Sequence, residues 1–160
     1  MKAKVAVYKS HEKAVKAVKA LAEQNFPMKS VSLVGKSDVV DDHIHLKSLN
    51  AVKNSPALIG IGAGTLIGLL SGIGVFTIPG FGFLYGAGAL VGIIGGFDLG
   101  LITGGIGSIF THLGIKEDNI LLYEEHLNNG RYIIVINGEE KDIIEAEKIL
   151  HIEGEHILID

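Results

Sequence analysis

Residues 56–114 read PALIGIGAGTLIGLLSGIGVFTIPGFGFLYGAGALVGIIGGFDLGLITGGIGSIFTHLG. They hold 18 of the chain's 22 glycines, and Asp98 is the only formal charge between Lys53 and Lys116. Gly60, Gly64, Gly68 and Gly72 share one four-residue register, and Gly88, Gly92, Gly96, Gly100 and Gly104 share another. On a helix such a series drifts slowly round the surface and forms one shallow groove that a second helix can enter. Glycine costs about 1 kcal/mol against alanine in a water-exposed helix, so a helix with this many needs outside support. Hydrocarbon supplies it, because broken backbone hydrogen bonds there are expensive and small-xxx-small spacing is the device for close helix contact in lipid. The spacing predicts two helix-packing glycine zippers forming one helical hairpin. Its spans are 57–78 and 81–110, each long enough against the roughly 20 residues a bilayer requires. Pro79-Gly80 is the turn.

The flanks read as a different kind of protein. Lys2 to Lys9 alternates as a strand, with Ala3, Val5 and Val7 on one face. Ser10 is placed to cap a helix whose stripe is Ala14, Val15, Val18, Leu21 and Ala22, while Lys13, Lys16 and Lys19 face water. Phe26-Pro27 stops it, and Ser30 to Lys36 is a second strand. Beyond the glycine-rich stretch, Lys116 to Asn129 is expected to be helical, with Ile120, Tyr123 and Leu127 inward and Gly130 as its stop. Arg131 to Asn137 is the strongest strand. Glu139 to Leu150 is a helix with Ile143, Ala146, Ile149 and Leu150 inward, and Glu155 to Asp160 closes as a strand. Without the glycine-rich stretch this order is that of an α+β, ferredoxin-like split βαβ domain. The expected division is 1–36 and 115–160 as the two halves of that domain, 37–55 as a polar connector and 56–114 as the inserted hairpin.

Composition narrows the function. A net charge of −4 over 160 residues argues against a nucleic-acid partner held by phosphate contacts. The absence of cysteine excludes disulfides and thiolate metal sites. The N-terminus has the pattern of neither a signal nor a transit peptide. Both halves of one sheet must lie on the same side of a bilayer. Lys47, Lys53 and Lys116 flank the stretch on that side, which predicts a two-pass inner-membrane hairpin with both termini cytoplasmic.

The two glycine series, the turn Ile78-Pro79-Gly80-Phe81-Gly82 and the exit Leu113-Gly114-Ile115-Lys116-Glu117-Asp118 resemble those of the bacterial general-stress and low-temperature-induced proteins. The resemblance covers most of the chain. It implies a small stress-linked, membrane-associated protein of undefined biochemistry. The Asp41-Asp42-His43-Ile44-His45 connector and Asp98 depart from that pattern.

Candidate sites are few. Asp98, as an intramembrane carboxylate, suggests a proton or cation relay or a contact between subunits. Asp41, Asp42, His43 and His45 place oxygen and imidazole donors on a short connector and could begin a zinc or copper site, with His151 or His156 as further ligands. Gly35-Lys36-Ser37 imitates the end of a phosphate-binding loop but lacks its first glycine, Ser30 standing there. No triad signature appears, and neither an enzyme nor a cofactor is expected. The leading expectation is a non-enzymatic structural protein whose glycine-zipper hairpins insert in the lipid bilayer and drive homo-oligomerisation. The alternatives are a self-assembling ring, shell or filament with the hairpins buried in its core and the chain out of lipid, and a metal or small-ligand sensor built on the ferredoxin-like sheet.

Overall fold

The computed structural model describes residues 2–36, 73–91 and 104–160. The strands are β1 (Lys2–Tyr8), β2 (Val31–Lys36), β3 (Ile73–Ile78), β4 (Gly82–Gly88), β5 (Tyr132–Gly138) and β6 (His156–Ile159). The α-helices are α1 (His11–Glu23), α2 (Gly105–His112), α3 (Glu117–Asn128) and α4 (Glu140–Glu153). The strands form one sheet in the order β3-β4-β2-β5-β1-β6, and every neighbouring pair is antiparallel. The chain is therefore α+β, as its flanks suggest.

Local signals in those flanks act as expected. Ser10 Oγ accepts from the Lys13 backbone N–H at 3.3 Å and starts α1. Gly130, in the left-handed region at φ 74°, stands just past the end of α3. Gly154, not singled out in the sequence, does the same for α4. Ala14, Val18 and Leu21 of α1, Tyr123 and Leu127 of α3, and Ile143, Ala146 and Leu150 of α4 are all buried.

The glycine-rich stretch is where expectation and structure part. Ile73–Ile78 and Gly82–Gly88 are strands that pair with each other, not parts of helices. Among the described residues no helix is long and apolar enough to cross a membrane. The two-pass inner-membrane hairpin with cytoplasmic termini, and the membrane insertion it was to drive, are corrected accordingly. The physical reason lies in residues 73–88, whose glycines Gly74, Gly82 and Gly86 belong to neither four-residue series. A period of four is also two repeats of the strand period of two, so glycines four apart line one face of a strand as well as one stripe of a helix. Gly74 and Gly86 are direct cross-strand partners, and Gly88 lies opposite Ser32. β-Branched and aromatic residues (Ile73, Val75, Phe76, Thr77, Ile78) then favour the strand. The turn itself stands where the sequence places it. The Phe81 N–H donates to the Ile78 carbonyl at 3.1 Å across Pro79 and a positive-φ Gly80 (78°), the arrangement of a type II turn. Of the second glycine series, Gly88 ends β4 at φ 83° and Gly104 caps α2. Gly92, Gly96 and Gly100, and the first series Gly60, Gly64, Gly68 and Gly72, lie outside the described residues, as does Asp98.

Both faces of the sheet are covered. On one, Ala6, Tyr8, Leu33, Ile134 and Ile136 pack under α1 and α4 through Ala17, Leu21, Ala146 and Leu150. On the other, Val5, Val7, Val34, Ile133 and Val135 pack under α2 and α3 together with Phe81, Leu84, Leu90 and Phe110. The half-buried β1 expected from Ala3, Val5 and Val7 is thus buried on its second face too, because the glycine-rich stretch and α3 supply a third layer. Ser32 is fully buried, and its Oγ accepts the Leu90 N–H at 3.0 Å, holding the exit from β4 to that face.

Gly35 owes its place to packing. A Cβ there would stand 2.6 Å from Tyr132 Cε1, inside contact distance. Gly35→Ala should lower stability by about 1–3 kcal/mol, since overpacking a filled core forces rotamers or backbone to move. Urea unfolding followed by circular dichroism measures it, and an unchanged midpoint would refute the packing account.

Candidate functional site

The α1/α4 face carries the most developed constellation among the described residues. The two helices are antiparallel, because each runs back along the sheet from one of two antiparallel strands, β1 and β5. The start of α1 is tied to the residues after α4. Lys13 Nζ lies 2.6 Å and Lys16 Nζ 3.4 Å from the two oxygens of Glu155. The hydrogen bond from Lys13 holds the Glu155 carboxyl below its usual range, and the same bond raises Lys13. Glu155's depressed folded pKa means that this contribution is present above the unfolded carboxylate value and is lost as pH falls through the folded one. Glu155→Gln should therefore lower the melting temperature at pH 6–8 and converge on wild type as pH falls towards 3, flattening the acid limb of the stability profile, as thermal melts from pH 3 to 8 would record.

An open groove of about 620 Å³ runs between these helices. Lys16, Lys19 and Glu23 line it from α1, and Glu145, Lys148, Ile149 and Ile152 from α4. Ile152 is 87% exposed, the most exposed large apolar side chain among the described residues. It falls off the inward stripe of α4, so packing among the described residues leaves it uncovered. Ile144, two turns earlier on the same helix, is 47% exposed.

On the same face of the sheet, at the end where α1 begins, lies a row of polar rings. Tyr85 on β4 stands opposite Gly35 on β2. One step beyond the Val34–Ile133 pair comes Tyr132 on β5, which faces Tyr8 on β1, and Tyr8 in turn faces His156 on β6. Gly35 lets the Tyr132 ring lie across β2. His11, the first residue of α1, meets Tyr85 and Tyr132 edge-on at centroid distances of 5.9 and 5.4 Å. Burial, with Glu153 adding at Tyr8 and Tyr132 at Tyr85, pushes both phenols well above their ordinary range. Held neutral so firmly, they are packing groups, weak as acids and poor as bases or nucleophiles.

The residues singled out in the sequence are dispersed or lie elsewhere. Asp41, Asp42, His43 and His45, and with them the metal site they suggest, lie outside the described residues. His151 and His156 do come together, ring centroids 5.1 Å apart. Among the described residues, no three His, Cys, Asp or Glu side chains are grouped to hold a metal ion. Lys36 of the loop-like Gly35-Lys36-Ser37 donates to Asn128 Oδ1 at 2.9 Å and lies 5.2 Å from the Phe81 ring, engaged in packing. Lys13 and Lys16, expected to face water, remain exposed and also pair with Glu155. The groove went unread because its signal is one residue: Ile152 breaks the inward periodicity of α4.

Comparison with known proteins yields no matching family model, no similar curated protein and no similar solved structure.

Proposed function

We propose that this chain is a non-enzymatic interaction protein on a ferredoxin-like split βαβ sheet, and that it works by associating with copies of itself through the α1/α4 face. The fold part of this reading is supported by β2-β5-β1-β6. With β3, β4 and their flanking glycine-rich residues set aside, these four strands and helices α1 and α4 have the order and one-sided helix placement of that architecture. The strands β3 and β4 then extend the sheet past β2, and α2 and α3 close its other face.

The observation that carries self-association is Ile152, 87% exposed beside an open groove on an otherwise charged face. Covering such a side chain contributes about 1.5–3 kcal/mol, which a partner of matching shape recovers. The resemblance to general-stress proteins adds a setting, stress, and no chemistry. In place of lipid, the partner of this reading is the chain itself.

Ile152→Glu should raise the dissociation constant of the self-associated form at least tenfold, about 1.4 kcal/mol or more. The far-ultraviolet circular dichroism should not change, since the side chain packs against little of its own chain. Sedimentation velocity over a hundredfold concentration range reads this directly. Wild-type protein that sediments as a monomer throughout would remove the proposal.

A further inference from the structure

The groove is not evenly charged. Since α1 and α4 are antiparallel, residues near the start of α1 stand beside residues near the end of α4, as the Lys13–Glu155 pair requires. Lys16 and Ile152 therefore lie towards one end, Lys19 and Lys148 near the middle, and Glu23 and Glu145 towards the other end. A pair of cations is followed, one helical turn along, by a pair of anions. No ion pair among the described residues engages Lys19, Lys148, Glu23 or Glu145.

We infer that the partner seated on this groove is a second copy turned end for end, so that Lys19 and Lys148 of each copy meet Glu23 and Glu145 of the other. This rests on the self-association reading and specifies its geometry. A two-fold axis between the cationic and anionic pairs produces both contacts at once, because an isologous interface repeats every contact it makes. Copies laid side by side in the same direction would set lysine on lysine and glutamate on glutamate. Exposed ion pairs are individually weak, so the apolar side chains Ile149 and Ile152 supply the attraction and the charges fix its direction. All four charged side chains are at the surface or half-buried, so reversing their sign leaves the fold intact.

The test is charge reversal with mixing. Lys148→Glu alone sets glutamate against Glu145 of the other copy at both symmetric contacts, and Glu145→Lys alone sets lysine against Lys148 at both. Each variant by itself should dimerise about tenfold more weakly than wild type. Mixed in equal amounts, the two variants complement each other. At one contact the new glutamate of the first variant meets the new lysine of the second, and at the other contact native Glu145 of the first meets native Lys148 of the second. Dimerisation should then return to near the wild-type value. Sedimentation velocity, with one variant carrying a fluorophore, resolves homodimer from heterodimer. Wild-type self-association unaffected by either reversal, or weakened by both and not restored on mixing, would overturn the end-for-end geometry while leaving self-association standing. A wild-type monomer would overturn both.

Discussion

Everything in this molecule depends on a sheet that has to be covered twice. β5 sits at its centre, between β1 and β2, and Ile133, Ile134, Val135 and Ile136 are all fully buried, pointing alternately to the two faces. Four such residues in a row cannot be served by one layer of helices. At about 25 cal/mol per Å² of apolar surface, leaving either face wet would forfeit several kcal/mol, comparable to the whole stability of a small domain. The flanking segments cover one face with α1 and α4. The second face draws on Phe81, Leu84, Leu90, Ile106, Ile109, Phe110 and Leu113, all from the glycine-rich stretch. Those residues are part of the core they close, and their low charge follows from where they sit.

This division governs what could be read in advance. The flanks carry ordinary signals, among them the Ser10 cap, the Gly130 stop, alternation in β1 and a 3.6-residue stripe in α1, and the elements fall within a residue or two of where those signals place them, except that α4 runs three residues past Leu150 to Glu153. The glycine-rich stretch carries an ambiguous one. Residues four apart coincide on a helix and on a strand, and low charge belongs to a buried core as much as to hydrocarbon. What separated the cases was the β-branched and aromatic content of residues 73–78 and the short spacings Gly72-Gly74 and Gly86-Gly88, which suit a period of two.

The interaction face was scarcely legible. Ile152 stands out only once the inward stripe of α4 is fixed, and Gly35 resembles a loop motif until Tyr132 is seen lying across it. Residues 8, 35, 85, 132 and 156 form a single row through strand register, a property of the assembled sheet with no counterpart in local sequence. Lys148 and Glu145 look like any solvated pair on a helix; the antiparallel α1 beside them turns four charges into a polarity.

The pairing of β2 with β5 also has a cost in time. Lys36 ends one strand and Tyr132 begins the other, so about 95 residues must leave the ribosome between them, which at ~5–20 residues per second takes roughly 5–20 s. During that interval the finished β1-α1-β2 unit presents the apolar edge destined for β5, with the strand that will sit between β1 and β2 not yet made. β4, which arrives earlier, pairs with the other edge of β2 in the finished sheet. The nascent chain is therefore exposed at its most hydrophobic pairing surface for seconds, long against the microseconds in which hairpins form. Synthesis rate, rather than local folding, sets how long that edge stays open to the wrong strand.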